Sequence, residues 1–394
     1  MTTRLSAAAA LLLAAVVTAC GAQPTPSQAP SNPPRSGPPP SVAPSVTPLP
    51  SATASEAPAV IGFDPASVPD TENASATTVI ARGGEGLVAI GFNGGFGSLL
   101  WTSGDGGATW TDITPPDFAS IGIASVVEYD GMLVGVGRGN TIDVEAQEAA
   151  VHLSEDGTEW RKVETAEQRV GQLIDVIATD DGLYAVGGVP AADSAGVWHS
   201  TDAETWERVG GDFEHAFLWS IAEGGPGLVA VGWRRNPEPD LAVWTSADAG
   251  ASWQLSPDPE GFAGFEATDV AAFGDGLVMA GSAFDGSGGR LWSSSDGITW
   301  ELTVDDMGAA FVRTLTETPA GLIGSGGDDQ MQGRAWLSTD GVAWKPLGEP
   351  LPNAYFGNAY ATDDGLLFAG GTQTGTLETG IDARAMIWTA TLAD

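Results

Sequence analysis

Residues 103–110 read Ser103-Gly104-Asp105-Gly106-Gly107-Ala108-Thr109-Trp110, and Ser246-Ala247-Asp248-Ala249-Gly250-Ala251-Ser252-Trp253 repeats the pattern S-x-D-x-G-x-[ST]-W in full. The residue types are those of a tight hairpin. Glycine supplies positive φ, the Ser and Asp side chains satisfy amides that the turn leaves open, and the aromatic ring pins the turn to its sheet. Shorter variants are Ser154-Glu155-Asp156-Gly157 with Trp160, Ser200-Thr201-Asp202 with Trp206, Ser295-Asp296-Gly297 with Trp300, and Ser338-Thr339-Asp340-Gly341 with Trp344. Successive tryptophans of the six copies are 44 to 50 residues apart, a period that indicates a repeat architecture. Side-chain capping accounts for Asp105, Asp156, Asp202, Asp248, Asp296 and Asp340, which are therefore read as structural residues and not as catalysts.

Two further phrases keep the same phase. Gly227-Leu-Val-Ala-Val-Gly232 has counterparts at Gly86–Gly91, Gly131–Gly137, Gly182–Gly187, Gly276–Gly281, Gly321–Gly326 and Gly365–Gly370. An apolar phrase follows each, centred on Trp101, His152, Trp198, Trp244, Trp292, Trp336 and Trp388. Each unit then reads as four short strands, illustrated by Ala124–Glu128, Met132–Val136, Ala150–Ser154 and Glu159–Val163. A four-stranded meander of this length is a propeller blade, and closing seven of them into a ring removes exposed sheet edges. The expected fold is all-β: a seven-bladed β-propeller of four-stranded antiparallel blades over residues 59–394. The seventh unit ends at Asp394 without a Trp-bearing fourth strand, so the segment Ala59-Val60-Ile61-Gly62-Phe63 is expected to supply it and close the ring.

The repeats start well inside the chain. Arg4, the apolar run Ala7–Val17 and the small residues before Cys20 make a charged, apolar and cleavable leader over residues 1–20. Its apolar run is shorter than the roughly 20 residues that span a bilayer. Val17-Thr18-Ala19-Cys20 resembles the bacterial lipobox, which implies lipidation of Cys20 and anchoring to the outer face of the cytoplasmic membrane. Cys20 is the only cysteine, so no intrachain disulfide is available to the exported fold. Residues 21–58, rich in Pro, Ser, Ala and Thr, cannot bury enough surface to fold and are read as a disordered linker. At about 3.1 Å per residue it would reach roughly 100 Å from the lipid.

Over residues 59–394 the chain resembles the Asp-box (BNR-repeat) propellers, a superfamily with a sialidase-like fold. Sialidases, xyloglucan-active glycoside hydrolases, sortilin-type receptors and photosystem II assembly factors belong to it. The resemblance implies a fold far more than a function, because the same scaffold carries hydrolases and pure binders. The Arg-Ile-Pro signature of sialidases is absent, Arg82 standing instead in Ala-Arg-Gly-Gly. Tyr355 and Tyr360 are the late tyrosines that a sialidase-like nucleophile would require.

Meander connectivity puts the Asp-box turns on one face of the ring and the loops after the Gly-Leu-Val-Ala-Val-Gly strand on the other, where function is expected. Positions at which one repeat departs from the rest are the candidates for a binding site. Trp219 and Trp233 are the two tryptophans outside the repeating phrases, and Arg234 and Arg235 follow Trp233. An aromatic ring beside guanidinium groups stacks on a sugar or holds an anion; the plain alternative is a surface loop whose arginines offset Glu238 and Asp240. Arg313 falls near the start of an inner strand like Trp219, and Arg138, Arg334, Tyr355 and Phe356 belong to the same face.

No catalytic residue is assigned. With 51 acidic residues no particular carboxylate pair stands out for glycoside hydrolysis. His152, His199 and His215 have no ligand spacing, and no Walker, dinucleotide, CxxC or HExxH motif occurs, so neither cofactor nor metal is expected; Asp305-Asp306 and Asp328-Asp329 are the acidic pairs that calcium would use. A formal net charge of −36 argues against nucleic acid and against an anionic membrane surface as ligands, leaving the lipid as the only membrane contact. The expected molecule is a monomeric, lipid-anchored, non-catalytic binding or scaffold propeller for a protein or glycan; the alternative is a secreted glycoside hydrolase of sialidase-like or xyloglucanase-like type.

Overall fold

A computed structural model describes residues 62–391, apart from the short stretches 70–73, 84–85, 94–96, 140–147, 164–170, 190–191, 258–260, 364 and 377–379. Cys20, the leader and the linker lie outside the described residues, as do Ala59, Val60 and Ile61.

Seven antiparallel sheets form in chain order, each with its strands side by side from first to last. Blade 4 shows the plan: inner strand Ala216–Gly224, second strand Gly227–Arg235, third strand Pro239–Ser246 and outer strand Gln254–Leu255. The inner strands of the other blades begin at Ala74, Ile121, Gln172, Phe265, Ala310 and Ala354. Blade 6 gains a short fifth strand, Leu351–Pro352, paired with the start of its third strand.

Both glycines of the repeated phrase answer to close backbone approach. Gly227 has a φ of 139°, and a Cβ there would meet the Ser246 carbonyl oxygen at 2.5 Å. At Gly232 a Cβ would lie 1.9 Å from the Phe217 carbonyl oxygen, where the inner strand carries a bulge between Leu218 and Ser220. Inner strands of blades 2, 3, 5, 6 and 7 carry the same irregularity at the matching position. A bulge strengthens local twist, which suits a strand that must turn to line a narrow axis.

The core lies between blades. Val134, Val151 and Leu153 of blade 2 pack with Leu173, Trp198 and Trp206 of blade 3, and the same arrangement recurs around the ring. Blades 7 and 1 share Leu367 and Ile387 with Trp101 and Trp110, so the ring is shut. His152 takes the tryptophan position of blade 2, fully buried with its ring 5.5 Å from that of Phe118.

Closure uses the N-terminal end of the domain, a few residues later than expected. Asp64 and Pro65 pair with Thr389 and Trp388 as the outer strand of blade 7. Phe63, the last residue of the expected segment, packs its ring on Phe356 and Phe368, at 4.8 and 5.3 Å between centroids. The chain then crosses to blade 1, where the Ser67 amide donates to the Ala108 carbonyl and the Trp110 amide to the Ser67 carbonyl.

The Ser-x-Asp turns sit at the junction of third and outer strands. In blade 1 the Ser103 hydroxyl accepts from the Gly107 amide at 2.9 Å, Asp105 Oδ1 accepts from the Thr109 amide at 2.9 Å, and Trp110 Nε1 donates to the Gly107 carbonyl at 2.9 Å. In blade 5 the capping hydroxyl belongs to Ser294, one residue before the expected Ser295. Donated hydrogen bonds hold all six carboxyls below the usual range, Asp105 and Asp156 at about 2.

Candidate functional site at the channel mouth

On the face opposite these turns, the first residues of the inner strands surround the mouth of the central channel. Each of these strands buries one apolar residue just before its bulge: Ile123, Leu173, Leu218, Ala267, Val312 and Phe356 in blades 2 to 7. The residues flanking it are free to differ from blade to blade. Before it stand Gly122, Gln172, Phe217, Glu266, Phe311 and Tyr355; after it stand Ala124, Ile174, Trp219, Thr268, Arg313 and Gly357. Chemical variety at the mouth therefore concentrates on blades 4 to 7.

Blade 4 contributes an aromatic shelf. The half-buried Phe217 lies 4.6 Å from Trp219, centroid to centroid, and stacks near-parallel on Trp233 at 6.3 Å. Its edge covers Gly188 of blade 3, where a Cβ would come within 2.5 Å of the ring. Trp219 Nε1 donates to Glu266 Oε2 of blade 5 at 3.1 Å. Burial raises the Glu266 carboxyl above its usual value, opposed by the Trp219 hydrogen bond and by the charge of Arg313 from blade 6. Tyr355 of blade 7 faces the same guanidinium; burial pushes its phenol up to about 12. Among the described residues the Arg313 side chain makes no hydrogen bond and no ion pair, although it is half-buried and within the field of Glu266 and Tyr355. A cation so placed has hydrogen-bonding capacity to offer a ligand.

Trp219, Arg313 and Tyr355 thus meet at one mouth, and Trp233 joins them through Phe217. Arg138 borders it on blade 2, donating to Gln172 Oε1 at 3.1 Å, with burial lowering its pKa. Arg234 and Arg235 run outward along the rim of blade 4. Arg235 lies 5.8 Å from the Trp233 ring and 3.7 Å from Asp193, which His215 also contacts at 2.6 Å. Arg334 is engaged by Asp328 at 2.6 Å and Gln332 at 3.1 Å and braces the loop of blade 6. Of the acidic pairs, Asp305 meets Arg290 and Asp306 accepts from the Gly308 amide. Among the described residues no group of three or more His, Cys, Asp or Glu is placed to hold a metal ion.

Glu266 and Phe217 are mouth residues that the sequence reading passed over. Their signal was in the repeat: both occupy the column of Tyr355, two residues ahead of the column of Trp219 and Arg313.

No family model matches the chain, and no curated protein matches it significantly. Solved structures do match. The chain is similar to a structure described as YCF48 bound to D1 peptide, at 14% identity over 86% of this chain and 98% of that one, with a TM-score of 0.57. A protein of unknown function from Dyadobacter fermentans matches at 12% identity over 84% of this chain and 98% of its own, TM-score 0.47. A Trypanosoma rangeli sialidase in complex with sialic acid matches at 14% identity over 82% of this chain but 59% of its own, TM-score 0.44. At 14% identity what the chain shares with the first of these is the fold alone.

Proposed function

We propose that this chain is a non-catalytic binding propeller of the Asp-box kind, carried on a stalk from a lipid at Cys20 on the outer face of the bacterial cytoplasmic membrane. It takes a protein or glycan partner at the channel mouth. The observation that carries this reading is the half-buried Arg313, its guanidinium without hydrogen bond or ion pair among the described residues, near Glu266 and Tyr355, with Glu266 bonded in turn to Trp219 of the aromatic shelf. Arginine and large aromatic residues gathered at one mouth are the residue types of binding hot spots. That a solved propeller of the same fold is bound to a peptide supports a protein segment as the occupant.

A hydrolytic reading is less well supported by the chemistry. A phenol pushed up to about 12 stays protonated and makes a poor nucleophile, and the Glu266 carboxylate is already engaged by Trp219. The test pairs peptide and glycan arrays with a panel of aryl glycosides and sialosides, using the wild type and Arg313→Gln. Array binding that drops at least tenfold in the variant supports the proposal. Glycoside turnover abolished by Glu266→Gln would replace it with the hydrolase.

A further inference from the structure

Below the mouth, two carboxyls are wired to each other across three blades. Asp175 of blade 3 accepts from the Ser125 hydroxyl of blade 2 at 2.9 Å, from its neighbour's amide on Val176 at 2.9 Å, and from the Ile221 amide of blade 4 at 3.2 Å. Asp269 of blade 5 accepts from the Val270 amide at 2.8 Å and from the Leu315 amide of blade 6 at 2.7 Å. Between them stands Ser220 of blade 4, its hydroxyl oxygen 3.1 Å from Asp175 Oδ2 and 2.6 Å from Asp269 Oδ1.

A serine hydroxyl carries one hydrogen and can donate only once. Were both carboxyls ionised, one of the two contacts would set a hydroxyl lone pair against a carboxylate oxygen with nothing between. The arrangement is satisfied by one more proton, shared by the pair. Asp269 is its natural holder, since its carboxyl has fewer donors around it than that of Asp175. The directed chain then runs from Asp269 Oδ1–H to the Ser220 oxygen and from the Ser220 hydroxyl to Asp175 Oδ2.

We propose that the Asp175–Ser220–Asp269 bridge holds one proton below neutral pH and that losing it, as pH rises, loosens the joint between blades 2 and 6 beneath the mouth. Other groups facing the pair are Ser125 from blade 2, the Ile221 amide from blade 4 and the Leu315 amide from blade 6. Among the described residues no cation contacts either carboxyl; along the inner strands that supply their partners, Glu266 and Arg313 lie towards the mouth and Glu223 and Glu317 towards the other end. The two residues are half-buried, and burial raises both carboxyls. For Asp269, burial first and the charge of Asp175 second bring it to about 7. The strands so tied also carry the mouth. Trp219 adjoins Ser220, Glu266 lies three residues before Asp269, and Arg313 lies two before Leu315. Only this last coupling rests on the proposed binding function; the proton itself does not.

A carboxyl raised on folding stabilises the folded state fully below its unfolded value near 4, and that contribution is lost as pH rises towards 7. Urea unfolding of the mature chain from pH 4.5 to 8.5 should show stability falling with a slope of about one proton near pH 6. In Asp269→Asn, whose amide donates to Ser220 but cannot ionise, the slope should shrink to what Glu266 and the still buried Asp175 supply, and Asp269→Asn with Glu266→Gln should be shallower still. A wild type without the slope, or a double variant that keeps it, overturns the proposal. Should these variants not fold, infrared spectra of Glu266→Gln keep the question open to an answer. A protonated carboxyl band at pH 6 that is gone by pH 8.5 is expected, and its absence at pH 6 refutes the bridge. For the loosening, hydrogen exchange corrected for intrinsic rates should rise between pH 6 and 8.5 in the inner strands of blades 3 to 6 relative to blade 7. A uniform response would sink the coupling while leaving the proposed binding function untouched.

Discussion

Replacing Phe63 by alanine isolates what the ring closure contributes. The side chain is half-buried, and its ring meets Phe356 at 4.8 Å and Phe368 edge-on at 5.3 Å. Truncating a fully buried phenylalanine costs about 3–5 kcal/mol, of which each aromatic pair supplies about 0.5–1.5. Half-burial brings the expected loss for Phe63→Ala to about 2–3 kcal/mol. Urea unfolding at fixed pH reads it as a lower midpoint with the slope unchanged. Asp64→Ala is the control: its side chain is exposed and its pairing with Thr389 is through the backbone, so a change within about 0.5 kcal/mol is expected. A chain starting at residue 68 should lose more than Phe63→Ala. It forfeits the hydrogen bonds from Ala66 to Ile387 and between Ser67 and blade 1, and it leaves strand Gly380–Ala390 as an open edge. Open edges recruit other chains, so light scattering should detect oligomers. An unchanged midpoint in both altered chains would mean that the N-terminal strand decorates a ring already closed without it, and the closure argument would fail.

Other expectations follow from the same geometry. The Asp156 carboxyl, held at about 2 by the Glu159 and Thr158 amides and the Thr158 hydroxyl, stabilises the fold above pH 4 and loses that effect as pH falls through about 2; Asp156→Ala should cost about 1 kcal/mol at pH 6 and only a small part of that at pH 2, by urea midpoint at each pH. Gly232→Ala, whose Cβ would overlap a carbonyl oxygen, should cost about 3 kcal/mol or more or prevent folding, whereas Gly104→Ala, with nothing within 4 Å, should stay within about 0.5 kcal/mol. Cys20→Ser should move the protein from the membrane to the soluble fraction of the producing cell; retention in the membrane would refute lipid anchoring at that residue.

The fold was legible because three independent constraints recur in phase. Glycines at 227 and 232 mark where backbones nearly touch, Trp244 and Trp253 fill the gap between blades, and Asp248 ties the turn between them. Each is a local demand on residue type, and its recurrence from blade to blade is what made it readable. The mouth was half legible. Trp219, Arg313 and Tyr355 break the pattern of their neighbours and could be picked out, while Glu266 passes as one more acid in an acidic chain. What sets it apart, an indole hydrogen bond from 47 residues away, exists only after the ring has brought blades 4 and 5 together.

The same reasoning explains why aspartates of one chain act in opposite senses. Asp105 and Asp248 are exposed and surrounded by donors belonging to their own hairpins, so ionisation is favoured wherever the hairpin forms. Asp175 and Asp269 take comparable numbers of hydrogen bonds, but most of their partners come from other blades, and burial and a shared serine hydroxyl join the pair. There, two charges cannot coexist at the cost that one can. Hairpin carboxyls therefore add stability as pH rises to about 4, and the channel pair removes it above that point. Self-repulsion in a chain of net charge −36 acts in the same direction as the channel pair. A stability maximum on the acid side of neutrality is thus a property of where the ring places its carboxylates. Composition alone, which counts all 51 acids alike, could not have located it.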